Sequence, residues 1–179
     1  MKLFENQQID VNMLPRVGHV DFLKPEKAYL RLTIIKSIVF WIFMFGIFSL
    51  CISAARYNYE EYLNYARIIF YPLAISSIIL TWISYYRRGH ALRDHDIIYK
   101  EGVLFKDTTT ISFNRVQHCE VSQGPLDQMF DVFTLKVFTA GGQSSDLEIP
   151  GLNEQVAEGL KEFIIGKIAS IKSYDGEEE

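Results

Sequence analysis

SIVFWIFMFGIFSLCISAA, residues 37–55, and IIFYPLAISSIILTWISYY, residues 68–86, are two runs of 19 residues without a charged side chain. At about 1.5 Å of rise per residue, a helix of that length covers roughly 28 Å, close to the ~30 Å hydrocarbon core of a bilayer. A core helix of a soluble bundle would carry polar residues every three or four positions on its outer face, and neither run does. The pattern predicts two transmembrane helices. Pro72, near the start of the second run, is tolerated in a membrane helix. Neither run contains Asp, Glu, His, Asn or Gln, so the chemistry of an ion or proton path is missing.

Working outward, Lys24, Lys27, Arg31 and Lys36 precede the pair and Arg87, Arg88 and Arg93 follow it, whereas the connection RYNYEEYLNYAR, residues 56–67, balances two basic residues with Glu60 and Glu61. Retention of basic residues on the cytoplasmic side predicts a multi-pass protein with both termini inside. A cleaved signal peptide would place its apolar stretch closer to Met1, so the first helix is expected to remain as an anchor. Tyr57, Tyr59, Tyr62 and Tyr65 crowd the connection, and Trp41, Trp82, Tyr85 and Tyr86 sit in or at the ends of the spans, as rings at headgroup level do. The predicted organisation is an N-terminal cytoplasmic segment (1–33), the helical pair with a short outer loop (34–88), a cytoplasmic domain (89–172) and an acidic tail (173–179).

The averages over 179 residues, 49% hydrophobic with a mean hydropathy of +0.06 and a net charge of −4, conceal this segregation. Residues 1–88 carry +4, residues 89–172 carry −4 and the tail adds −4. The basic part flanks the membrane and the soluble part is acidic. Two cysteines, Cys51 and Cys119, fall in chemically different segments, which excludes a disulfide framework and a cysteine-based zinc site.

The segment after Gly89 reads mostly as strands. HDIIYKEGVLF has two apolar runs around Lys100, Glu101 and Gly102, a hairpin signal. Thr109, Ile111 and Phe113 alternate with Thr110 and Ser112; RVQHCEV, TLKVFT and SDLEIP alternate likewise, with SQGPLDQMFD and AGGQSSD supplying turns. Between five and seven short antiparallel strands are expected. Beyond Gly151 the period changes: Asn153 is a good N-cap, and Val156, Leu160, Phe163, Ile164, Ile168 and Ile171 recur at helical spacing. The predicted fold class is α+β, mainly β: a small antiparallel barrel of pleckstrin-homology type closed by a C-terminal helix, preceded by a transmembrane hairpin.

The run from 88 to 152 also resembles the YdbS-like, membrane-flanked family of bacterial pleckstrin-homology domains, through ISFNRVQH at 111–118, SQGPLD at 122–127 and TAGG at 139–142. The two preceding spans and the total length fit as well. The resemblance implies a pleckstrin-homology-like barrel on the cytoplasmic face of a bacterial plasma membrane, often beside a larger relative with several such domains. It brings no agreed catalytic residues.

The residues themselves offer little catalytic chemistry. His90, Asp94 and His95 lie close in sequence, but an i, i+5 pair does not share a helix face and no third His or Cys ligand is near, so they read as a connector between membrane and first strand and no metal is expected. His19 and His118 stand apart. The glycines at 141 and 142 lack the G-x-x-x-x-G-K-[ST] pattern of a phosphate loop, and residues 122–125 lack that of a nucleophile elbow. Cys119, in an alternating strand, has no base beside it.

What remains is recognition. Arg87, Arg88, Arg93 and Arg115 are the candidate contacts for lipid or partner, Arg115 because an arginine inside a barrel strand needs an anionic partner, for which Asp107, Asp127 and Asp131 are the structural candidates. Gly46, Ser49 and Ser53 give the first span a small-residue face on which helices pack closely, within the hairpin or against a partner. The expected function is that of a non-enzymatic membrane protein whose barrel serves protein interaction and assembly, with a larger membrane-flanked relative or a second copy as partner; the resemblance adds a cell-envelope or membrane-stress setting. The alternative is anionic-lipid binding, against which the −4 of residues 89–172 counts. Membrane lipids are expected neighbours; no cofactor and no nucleic acid is.

Overall fold

The computed structural model describes residues 20–54, 59–140 and 145–175. The predictions for His19, for the start of the outer loop, for the glycines at 141 and 142 and for the end of the tail lie outside the described residues. Two long helices, α1 (Lys27–Ala54) and α2 (Tyr59–Arg87), pack antiparallel, and both begin before the charge-free runs. Both are long and apolar enough to cross a membrane. Trp41 Nε1 donates to Ser77 Oγ at 2.6 Å, and Ser37 Oγ lies 3.1 Å from the same oxygen. Beyond this polar knot Phe70 receives Trp41 and Phe45 edge-on and Phe48 at a tilt. Aromatic packing closes the hairpin; of the small residues Gly46 and Ser53 are exposed and Ser49 is half-buried, and open space lies where a Cβ would sit on Gly46.

One residue, Arg88, separates α2 from β1 (Gly89–Leu92). The segment expected as a connector is therefore a strand. It pairs antiparallel with β2 (Asp96–Glu101), which pairs with β3 (Asp107–Ser112). The turn predicted at 100–102 lies further on: β2 continues to Glu101, and Val103 to Phe105 belong to a loop, not to a strand. Gly102 makes that loop, with φ of 105° and a position where a Cβ would collide with the Phe105 carbonyl oxygen.

The second sheet consists of β4 (Val116–Ser122), β5 (Phe133–Thr139) and β6 (Leu147–Leu152), paired antiparallel in that order. A 3₁₀ turn, Phe113–Arg115, joins the sheets, so Arg115 stands in a turn rather than inside a strand. A short helix, α3 (Pro125–Met129), occupies the segment expected as a plain turn; Pro125 opens it, and Asp127 accepts from the Gly124 N–H at 3.1 Å. The fold is thus two three-stranded antiparallel sheets, six strands among the described residues, completed by α4 (Glu154–Asp175).

Period-two burial fills the core. Ile97 and Tyr99 of β2, Ile111 of β3, Cys119 of β4, Leu135 and Val137 of β5, and Leu147 and Ile149 of β6 meet Ala157 and Ile164 of α4. Ile98 is equally buried on the opposite face of β2. On the outer face of the second sheet, Lys136 stands opposite Glu148 at 3.6 Å. Asn153 Oδ1 accepts from the Val156 N–H at 2.8 Å, the cap that starts α4.

Candidate functional site

Polar chemistry converges where the sheets meet the base of the hairpin. The segment before α1 acts as an additional strand: Leu23 and His90 exchange backbone hydrogen bonds of 2.9 and 3.0 Å. Three residues on, the Glu26 N–H donates to the Gly151 carbonyl at 2.7 Å, and Asn153 Nδ2 donates to Glu26 Oε1 at 3.0 Å. Tyr85 OH donates to the Pro25 carbonyl at 2.9 Å. Residues 23–26 thereby join β1, β6, α2 and the start of α4. Gly151 permits the approach, with φ of 83° and Pro25 Cβ only 2.7 Å from where its own Cβ would be.

Arg88 occupies the centre of this junction. Its guanidinium donates to Tyr29 OH, lies 5.7 Å from the centre of the Tyr29 ring and stands 3.5 Å from Glu101. Its Nε is buried and has no hydrogen-bond partner among the described residues. Arg88 and Tyr29 line a cleft of about 500 Å³ whose other walls include Thr33, Leu80, Leu104 and Phe105. Arg87 is exposed and borders a second cleft of about 350 Å³ with Lys100, Glu101 and Lys106. Glu101 and the junction burial also act on Tyr99, whose phenol is pushed far above its ordinary range, chiefly by burial.

The other candidates stand elsewhere. Arg93 lies one strand length from Arg88, in the β1–β2 turn, and holds Asp96 with hydrogen bonds of 2.6 and 2.5 Å. Arg115 is exposed; its carbonyl accepts from the Ala140 N–H at 3.2 Å. None of the three aspartates expected for it is its partner. Asp127 instead pairs with Lys36 at 2.9 Å, tying α3 to α1, and Arg115 acts on Asp146, whose carboxyl sits below its usual range mainly through hydrogen bonds from Thr139 and less through Arg115. The four arginines therefore do not form one patch: Arg87 and Arg88 mark the hairpin end, Arg93 and Arg115 other corners.

His90 is buried in β1 with Nε2 unpartnered among the described residues, and burial holds its imidazole below the ordinary range. Asp94 and His95 are exposed in the turn beyond it. Among the described residues no group of three or more His, Cys, Asp or Glu is placed to hold a metal ion. Burial pushes the Cys119 thiol up to about 11, which keeps it protonated and a poor nucleophile at neutral pH. His118 is exposed and stacks on Phe138, with ring centres 4.3 Å apart. The junction was only partly legible from the residues: basic flanks announced Arg87 and Arg88, but no periodicity connects Tyr29, Pro25 or Glu26 with partners more than fifty positions away.

Comparison with known proteins agrees with this architecture. The family model described as the bacterial PH domain matches residues 32–168. Two transmembrane proteins of Bacillus subtilis (strain 168) are similar: YdbT is 26% identical over 117 residues, 62% of this chain and 24% of that protein, and YdbS is 31% identical over 75 residues, 42% of this chain and 45% of that protein. The chain thus spans less than half the length of these curated relatives. No solved structure matches it. With a family match that runs from within α1 to within α4, this chain belongs to the bacterial PH domain family, in its YdbS-like, membrane-flanked form, and is a membrane protein with a PH-like domain.

Proposed function

We propose that this is a non-enzymatic, multi-pass protein of a bacterial cell membrane whose PH-like domain, held on the cytoplasmic side with both chain ends, assembles with a second membrane protein. The observation that carries the reading is the free edge of β3. Among the described residues β3 pairs with β2 alone, and Asp107, Thr108, Thr109 and Thr110 are all exposed. An open edge is a template for an extended segment of a partner, which gains main-chain hydrogen bonds by adding as a further strand. The partner is a related membrane-flanked protein or a second copy, and the exposed Gly46 and Ser53 positions of α1 give its helices a close approach. A photo-crosslinking residue at Thr110, in the full-length protein in its native membrane, should capture one membrane protein stoichiometrically, whereas the same probe at Glu162 on α4 should not. Capture of nothing above the Glu162 background would overturn the assembly reading.

A second reading rests on Arg88. Its unpartnered Nε in an apolar-walled cleft, with Arg87, Lys100 and Lys106 nearby, suits an anionic lipid headgroup. A defined anionic lipid copurifying with the wild-type protein and lost from Arg88→Gln would support it.

A further inference from the structure

Two short segments of the PH-like domain present large apolar side chains to solvent. In the β2–β3 loop Leu104 and Phe105 are 83% and 82% exposed; in α3 Leu126 and Met129 are 49% and 75% exposed. Four such residues in two tight turns are not what a water-facing surface carries. Their position explains them. The register Gly89↔Lys100 places the end of β2 at the end of α2, so the chain beyond Glu101 projects alongside the hairpin, where Val103, Leu104 and Phe105 share a cleft with Thr33, Leu80 and Thr81. The helix α3 reaches the same α1 face through the Lys36–Asp127 ion pair.

The level can be estimated. Ser37, the first residue of the charge-free run of α1, stands opposite Ser77 of α2. Thr81 and Leu80 lie three or four residues towards the domain, about 5 to 6 Å at ~1.5 Å per residue. Interfacial apolar side chains bury about 5 to 10 Å into the boundary between headgroups and acyl chains. The β2–β3 loop thus stands within about 6 Å of the Ser37 level, and Lys36, next to Ser37, holds α3 beside it, so both knuckles lie at the headgroup layer if α1 and α2 span the bilayer, a reading on which this inference rests. Charge permits it. Lys106 follows Phe105 and is exposed, and with Lys100 and Arg87 it outnumbers Glu101 and Asp107 of the same cleft, Glu101 being paired with Arg88, while the one carboxylate of α3, Asp127, is neutralised by Lys36.

We propose that the PH-like domain is seated in the bilayer interface by these two apolar knuckles, Leu104 and Phe105 of the β2–β3 loop and Leu126 and Met129 of α3, so that lipid covers them. The membrane then touches the chain at three places: the hairpin and both knuckles.

The test uses the full-length protein with Cys51→Ser and Cys119→Ala, spin-labelled through single cysteines and reconstituted at low density into vesicles of phosphatidylcholine and phosphatidylglycerol. Collision with oxygen, which concentrates in lipid, is compared with collision with a water-soluble nickel chelate. Ile42→Cys in the middle of α1 and Asp94→Cys in the β1–β2 turn give the lipid and water references. Labels at Leu104→Cys and Leu126→Cys are expected to favour collision with oxygen over the chelate, as the Ile42 label does, though by less, since they sit nearer the water. Resemblance of either one to the Asp94 label overturns the two-point seating, and shielding from both reagents overturns it in favour of a protein contact. A water-like Ile42 label would defeat the spanning reading itself and the inference with it, which separates the two failures.

Discussion

At Gly151 two requirements coincide on one residue: a positive φ, and a gap through which Pro25 and Tyr29 approach β6. Alanine meets neither. The backbone conformation alone costs a residue with a side chain about 1 to 2 kcal/mol, and overpacking adds about 1 to 3. Gly151→Ala should therefore lower stability by about 2 to 5 kcal/mol, and hydrogen exchange should show the Leu23 and Glu26 amides losing protection before the core amides of β5. His90 makes a second residue-scale prediction. Its folded state favours the neutral ring, while the unfolded chain takes up a proton near the ordinary imidazole value of about 6.5. Folding stability is unaffected by this group above that value and falls as pH drops through it towards the lowered folded value. Thermal unfolding in detergent at pH 8 and pH 5.5 should show a loss on acidification, and His90→Phe should reduce that loss.

At the scale of elements, Asn153 links a helix to the hairpin. Its side-chain oxygen caps α4 while its amide nitrogen donates to Glu26. Asn153→Ala removes both contacts and should cost about 1 kcal/mol or somewhat more. Asn153→Asp keeps the cap but places a carboxylate against Glu26, so its melting temperature should fall below that of the wild type at pH 8 and recover when Glu26→Gln is added; equal melting of the Asp and wild-type proteins at pH 8 would show that the Glu26 contact contributes nothing. Elements with a strong period were legible beforehand: the two apolar helices, β5 and β6 with their alternation, and α4 with its cap. β3 and β4 were read from the same alternation, and what was missed lacked a period. β1 has four residues, three of them buried, so no alternation announces it. Val103, Leu104 and Phe105 look like strand because they are apolar, yet Gly102 has already turned the chain and Leu104 and Phe105 are exposed. Small residues in α1 suggested the packing face, but Phe45, Phe48 and Trp41 fill the hairpin. Thr109 matched the strand alternation and still lies exposed, in the edge strand of its sheet. The candidate site was the least legible part, since Leu23 and His90 meet only through the folded topology.

For the molecule as a whole, helices and sheets form one continuous structure rather than a domain on a tether. Residues 23–26, Arg88 and the Lys36–Asp127 pair hold the two parts at separate points. Inserting two glycines between Arg88 and Gly89 should shift β1 out of register with Leu23 and lower the melting temperature far more than the same insertion between Asp94 and His95, in an exposed turn. Equal effects of the two insertions would mean that the junction contributes little to stability. The direct passage from α2 into β1 has a mechanical side as well. Without slack between them, the orientation of the sheet is the orientation of the helix. In a bilayer of different thickness, which changes the tilt of a spanning helix, the change of tilt would pass undamped into the sheets and press on the contacts that hold them to the hairpin.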